Sequence, residues 1–347
     1  MNGTIYDFSG LPRVARLGPD LAGWSSALRD VAVASAAARV GLVSNPRSRR
    51  NRLNGGPPAR AGVLAAAPRT RAELRDVLAR FAEERIDLLV VDGGDGTVRD
   101  VLTCAGDLWR ARQPRLAVLP SGKTNALALD LGVPRDWTLD QALAAARTAR
   151  VSTRSPVEVQ RRDQPGPPVR GFLFGAGAFV AATALAQRTH RVGAFNSAAV
   201  GLALSGAVAQ TLFGPADGEW RRGERMSVRY DHRSVPMNGA PLTSDRNQYL
   251  LLASTLERLP LGLKPFGKAR PGLKALAIDA PPRRIISAVA PLLGGSEAAW
   301  LDRAGYHRVD APTLNLDLSG QFVLDGELFP AGRYRVAEGP PISFVTP

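Results

Sequence analysis

"IDLLVVDGGDGTVRDVL", Ile86 to Leu102, is the stretch that decides the fold. An apolar run from Ile86 to Val91 ends in three closely spaced glycines, after which an amphipathic pattern begins. That order reads as a buried strand, a Gly-rich turn and a helix. Gly93, Gly94 and Gly96 let the backbone approach a ligand closely and take positive φ where needed. Successive N–H groups leading into a helix N-terminus form a cradle for an anion. A plain strand-to-helix turn needs one glycine and not three, so a phosphate site is the reading. Asp95 inside the loop repels bare phosphate. It makes sense beside Mg²⁺, or as a hydrogen-bond acceptor that shapes the loop.

Outward from this centre the pattern repeats. "RVGLVSNP" from Arg39 reads as a strand stopped by Asn-Pro, and "AGVLAAA" from Ala61 as a second strand. "TRAELRDVLARFAEE" places Leu74, Val77, Leu78 and Phe81 on one helical face behind a Thr70 cap. "RLAVLP" from Arg115 is a further strand, and "TNALALDLG" a short helix stopped by Gly132. Strands alternating with helices predict an α/β, doubly wound parallel sheet, with ligands at the carboxyl ends of its strands. Beyond Arg150 short β-like runs dominate, such as "SPVEVQ", "MSVRYD", "NQYLLLAST", "LKALAID" and "TLNLDL". They predict a second, mainly antiparallel β domain, interrupted by a helical pair from about Val180 to Phe213.

"AVLPSGKTNA", Ala117 to Ala126, fits the loose form of a P-loop, with Ala117 where the strict form has Gly. A P-loop follows the first strand of its domain, however, and here the strand ending in Asp92 comes earlier. A different phosphate loop is the more economical reading.

Composition narrows the function classes. Hydrophobic residues make up 45% of the 347, which excludes a disordered chain. The single cysteine, Cys104, excludes an internal disulfide and a Cys-based metal site, and suits a cytoplasmic protein. No secretion signal is evident at the N-terminus. The most apolar stretch, from Ala198 to Gly214, is shorter than the ~18 residues of a membrane span and reads as a buried helix. His190, His232 and His307 follow no metal-ligand spacing. The net charge of +14 has three readings: a GC-rich genome that favours Arg, an anionic membrane surface, or nucleic acid. No nucleic-acid motif supports the third.

The GGDG segment resembles the nucleotide loop of diacylglycerol kinases, sphingosine kinases and the bacterial lipid kinases related to them. NAD kinases and phosphofructokinases share its core, but three further matches in the right order narrow it. "VSNP" with Ser48 is similar to the Asn-Pro-x-Ser that opens these kinase domains, and "LAVLPSGKTNALALDLGVP" resembles their second glycine-containing loop. "VLDGELFP" resembles the late Asp-Gly-Glu. The resemblance covers Arg39 to the C-terminus. It implies a two-domain lipid kinase that uses ATP and Mg and phosphorylates a lipid hydroxyl. It places the nucleotide at Asn45, Gly93, Gly94, Asp95, Gly96, Thr97, Gly122, Lys123, Thr124 and Asn125, with Asp95 towards the metal. It makes Glu327 the catalytic base, with Asp325 beside it.

The expected division is an N-terminal extension over 1–38, a nucleotide-binding domain over 39–150 and a β-rich lipid-substrate domain over 151–330. Residues 331–347 are expected to return to the first domain. The partners implied are a lipid substrate, an anionic membrane surface and a possible second copy in a homodimer, without nucleic acid. The expected localisation is cytoplasmic, with a peripheral position on the inner face of the membrane left open. Ala126, Ser155 and the Arg270–Gly272 stretch depart from the family, which has acids there. Those departures keep open a catalytically weakened nucleotide- or lipid-binding sensor of the same fold. An NAD-kinase-like enzyme is the second alternative, and it lacks that group's Asn-Glu/Asp motif.

Overall fold

The computed structural model describes residues 39–57, 59–106, 108–109, 112–148, 150–164, 166–191, 223–231, 235–236 and 243–347. The expected extension over 1–38, the apolar stretch from Ala198 and the second half of the expected helical pair lie outside the described residues. The chain divides into two compact units. In described residues, one comprises 39–154 with 341–347, the other 155–340.

The first unit has the alternation expected. Strand β1 (Val40–Ser44) is followed by α1 (Arg49–Asn54), β2 (Val63–Ala66), α2 (Arg71–Glu83), β3 (Leu88–Gly93) and α3 (Asp95–Ala105). Then come β4 (Arg115–Pro120), α4 (Ala126–Asp130), α5 (Leu139–Arg147) and β5 (Val151–Arg154). The sheet order is β2-β1-β3-β4, then the chain's last strand, Ile342–Val345, then β5 at the edge. All pairings are parallel except that of the last strand with β5. Leu88 to Val91 are fully buried, as a central parallel strand requires. Thr70 caps α2 through the Glu73 N–H, and Leu74, Leu78 and Phe81 form its buried face. The chain leaves β1 towards β2 on one side and returns to β3 on the other. The β1/β3 edge is therefore the switch point at which such sheets open a binding crevice.

The second unit is built on one antiparallel sheet. It contains β6 (Val157–Arg161), β7 (Val169–Gly171), β8 (Leu173–Gly177), α6 (Ala178–Arg191), β9 (Glu224–Tyr230), β10 (Val235–Pro236) and β11 (Thr243–Ser254). These are followed by β12 (Lys274–Asp279), α7 (Ile285–Leu293), α8 (Ala299–Arg303), β13 (Tyr306–Asp310) and β14 (Thr313–Leu318). The unit closes with β15 (Phe322–Leu324), β16 (Glu327–Phe329) and β17 (Gly332–Glu338). The main order is β10-β13-β12-β11-β9-β14-β17-β6-β7, with β8 bridging β11 to β15 and β15 pairing β16. Phe322 stacks on Phe174 and Phe329 at 4.9 and 5.0 Å and meets Tyr334 edge-on at 4.9 Å.

The boundaries fall at 154 and 340 rather than at 150 and 330. Gly332–Glu338 pairs with β14 and β6 and so belongs to the β-rich unit. Helices α7 and α8 had no counterpart in the sequence reading.

Candidate functional site

Asp92, at the end of β3, is the hub of the first unit's carboxyl edge. Its buried carboxylate accepts from Ser44 Oγ at 2.7 Å, from Asn51 Nδ2 and from Ser121 Oγ. A buried charge is tolerated only with such partners. The three donors come from the end of β1, from α1 and from just beyond β4, so one acid ties three loops together. Asn45 joins the same knot. Its N–H donates to the Asp92 carbonyl at 2.9 Å, and its Nδ2 donates to Thr97 Oγ1 at 2.8 Å.

The glycines of the two loops are explained by contact, not by unusual dihedrals. None of Gly93, Gly94, Gly96 and Gly122 has a positive φ, which corrects that part of the expectation. A Cβ on Gly122 would lie 2.5 Å from the Gly94 Cα, and one on Gly94 would lie 2.9 Å from the Gly122 Cα. Each is glycine because the other loop is there. A Cβ on Gly93 would strike Thr97 Oγ1 at 2.4 Å. Gly96 is different: the nearest atom to its missing Cβ is Arg99 Nη2 at 3.7 Å.

Asn125 is left-handed at φ 53° and closes the second loop with its own side chain. Its Oδ1 accepts from the Gly122 N–H at 2.9 Å, and its Nδ2 donates to the Gly122 carbonyl at 3.1 Å. Lys123 and Thr124 are left exposed at the tip, and Ala126 opens α4 as a buried residue. Asp95 accepts from the Leu127 N–H at 3.1 Å. Burial pushes its carboxyl up, opposed by N–H groups of Ala126, Leu127, Asp95 and Asn125. Asp95 thus fastens the first loop to the second, one of the two roles that the sequence left open.

These residues fit a nucleotide phosphate. Ser48 Oγ is buried at the start of α1 without a hydrogen-bond partner, and leaving such a group unsatisfied costs about 1–3 kcal/mol. A phosphate oxygen is an acceptor it could serve. They do not make a metal cage: Asp95 is committed to N–H groups, and no group of three His, Cys, Asp or Glu is placed to hold a metal among the described residues.

Asp325 and Glu327 lie in the β-rich unit, on a two-residue hairpin. Asp325 (φ 46°) and Gly326 (φ 79°) both take the left-handed conformation that such a turn demands. The Asp325 carboxylate accepts from the N–H groups of Phe172 at 3.0 Å and Leu173 at 2.9 Å, and its own N–H donates to the Leu173 carbonyl. Asp325 therefore pins the turn to β8. Glu327 opens β16, half-buried, opposite Leu324.

Ser155 begins the β-rich unit, just after β5. In the Arg270–Gly272 stretch, where the acids are missing, the buried ammonium of Lys274 donates to the carbonyls of Arg270 and Gly272 at 2.8 and 2.7 Å. Asp92, Asn51 and Ser121 were missed as site residues. Asp92 alone left a signal, as the polar end of an apolar strand.

Residues 59–159 match the diacylglycerol kinase catalytic domain. The diacylglycerol kinase of Bacillus subtilis (strain 168) is 35% identical over 78 residues, a stretch that spans 22% of this chain and 24% of that relative. A solved diacylglycerol kinase from Bacillus anthracis (strain Sterne) superposes with a TM-score of 0.57 at 14% identity, covering 90% of this chain and 98% of the other. A second solved chain from the same organism gives 0.58 at 16%, covering 90% and 99%. The fold is similar to that of these two Bacillus anthracis chains. The likeness in sequence to the diacylglycerol kinases covers less than a third of the chain, residues 59–159 in the domain match.

Proposed function

We propose that the protein transfers the γ-phosphate of ATP to a hydroxyl of diacylglycerol or a related lipid. The observation that carries this reading is the knot at the carboxyl edge of the first unit. Two glycine loops, both inside the stretch that matches the kinase catalytic domain, pack on each other there, and Ser48 Oγ, upstream of that stretch, is buried and lacks a partner. In this reading Asn45, Gly93 to Thr97 and Gly122 to Asn125 form the phosphate site. Gly96 leaves room for the phosphates, and the exposed Lys123 ammonium offsets their charge. Any Mg²⁺ would arrive with ATP and neutralise its phosphates, while Asp95 stays on the N–H groups of the second loop.

Phosphoryl transfer to an alcohol needs a base. The hydroxyl oxygen forms a bond to the γ-phosphorus, the bond to the ADP oxygen breaks, and the hydroxyl proton goes to a carboxylate. Glu327 is that carboxylate in this reading, and Asp325, tied to Phe172 and Leu173, is its positioning residue.

The test is incubation of the pure protein with labelled ATP and diacylglycerol in detergent micelles, followed by the same assay on Glu327→Gln. Label is expected in a phospholipid product, with the variant slowed roughly 10²–10⁴-fold while calorimetry finds ATP binding kept. Turnover of the variant within a few-fold of wild type would remove Glu327 from the role. ATP binding without any lipid product would favour the sensor reading, which Ala126 motivates.

A further inference from the structure

Within the β-rich unit, the loop from Leu256 to Lys268 and helix α7 expose aliphatic side chains between basic ones. We propose that they form the face on which this unit docks to an anionic lipid bilayer. The idea rests on the lipid-acceptor reading only for its purpose; the surface itself is read from the residues below.

Leu261 is 48% exposed and Ile286 72% exposed, and these are the only large exposed hydrophobics among the described residues of this unit. Leu261 is also held at φ 62°, ψ 14°. A leucine costs free energy there, where Gly or Asn would relax, and gains nothing from water. A strained apolar side chain aimed at solvent suggests contact with something apolar.

The loop and the helix make one surface. Lys264 donates its N–H to the Leu293 carbonyl at the helix end, at 2.7 Å. Arg308 fixes both parts from beneath, with Nε to the Pro265 carbonyl at 2.7 Å and Nη2 to the Leu292 carbonyl at 3.0 Å. Leu259 and Val289 pack on a shared core that includes Phe266, Ile285 and Leu292. Ile286, Ala290 and Leu293 are spaced four and three residues apart, which puts them on one face of α7.

Charge selects the occupant. Arg258, Lys264, Lys268, Arg283 and Arg284 are exposed around these aliphatic groups. The chain has only four lysines, and two of them, Lys264 and Lys268, are exposed on this loop. Of the acids nearby, Glu297 accepts from the Lys268 N–H, Asp310 pairs Arg270, and Asp279 and Asp302 flank His307, while Glu257 within the loop is half-buried and leaves the basic residues in excess. Aliphatic tips within a basic rim match an acyl layer beneath anionic headgroups.

The experiment is flotation of the full chain with phosphatidylcholine vesicles, with and without phosphatidylglycerol, across a salt series. Wild type is expected to float with anionic vesicles only, and to be released as salt rises. Leu261→Asn with Ile286→Gln should weaken that binding by about tenfold or more. Asn suits the left-handed position, so folding is kept, which circular dichroism checks. Arg283→Gln with Arg284→Asn should weaken it similarly, at roughly fivefold per basic residue. Leu53→Gln, at an exposed leucine of the other unit, should change nothing. The proposal is overturned if wild type fails to float, if it floats equally with neutral vesicles, or if Leu53→Gln loses as much as the Leu261 and Ile286 pair. It is also overturned if Ile286→Gln dissociates a dimer in sedimentation while vesicle binding stays intact. Because the kinase assay uses micelles, failure there would leave this result standing, and failure here would leave that one.

Discussion

Gly96 and Gly122 share a side chain, or rather its absence, for different reasons. At Gly122 an added methyl would meet the Gly94 Cα at 2.5 Å and Asn125 Oδ1 at 2.7 Å, so the two loops must part. Gly122→Ala should therefore cost about 1–3 kcal/mol of stability and lose ATP binding with it. At Gly96 the methyl meets nothing nearer than 3.7 Å, and the site is in the first turn of α3. Gly96→Ala should leave stability unchanged or raise it by up to about 1 kcal/mol, yet weaken ATP. Urea unfolding and calorimetric titration of both variants separate the two causes; ATP binding at wild-type strength by Gly96→Ala would place the phosphates elsewhere. The Asp-Gly-Glu segment divides in the same way. The sequence offered two acids side by side, and the hydrogen bonds of Asp325 to Phe172 and Leu173 give it to the scaffold.

Single titrating groups act on whole elements where they tie them together. His307 on β13 lies between Asp302 of α8, with Nδ1 at 2.7 Å, and Asp279 at the end of β12, with Nε2 at 3.3 Å. Burial alone would lower its pKa, but the hydrogen bonds and charges of the two carboxylates prevail and raise it above 6.5. A folded pKa above the unfolded one stabilises fully below 6.5, and that contribution is lost as pH rises through the folded value. Unfolding of the β-rich unit by urea should therefore show stability falling as pH climbs above 6.5, and His307→Gln should flatten that slope. An equal slope in the variant would assign the dependence to other groups. Elements were legible in proportion to their periodicity. β1, β3, β4 and α2 carry clear patterns and form as expected. Helix α7 was missed because Pro281, Pro282 and Pro291 break its pattern, while its buried face, Ile285, Ala288 and Leu292, is supplied by packing on Tyr249, Phe266 and Tyr306.

At the scale of the whole molecule, the chain's end completes its beginning. Ile342–Val345 inserts between β4 and β5, with Phe344 fully buried and opposite Leu116. Phe344→Ala should remove about 3–5 kcal/mol from the nucleotide unit while leaving the β-rich unit's own transition in place. Two-transition calorimetry would test this, and a variant that lowers both transitions equally would mean the units do not melt separately. Among the described residues no helix is long and apolar enough to cross a membrane. The sequence by itself determined the parallel α/β unit, the antiparallel unit and the two glycine loops. These depend on local order: apolar runs of strand length, helical periodicity and turn residues at fixed places. Only the tertiary structure decided that Gly94 and Gly122 need each other, that Asp92 joins three loops, and that Asp95 reaches the N–H groups of the second loop. Those contacts join residues about thirty to fifty positions apart. No local pattern records them, because hydrogen bonds and van der Waals contact depend on distance in space and not along the chain.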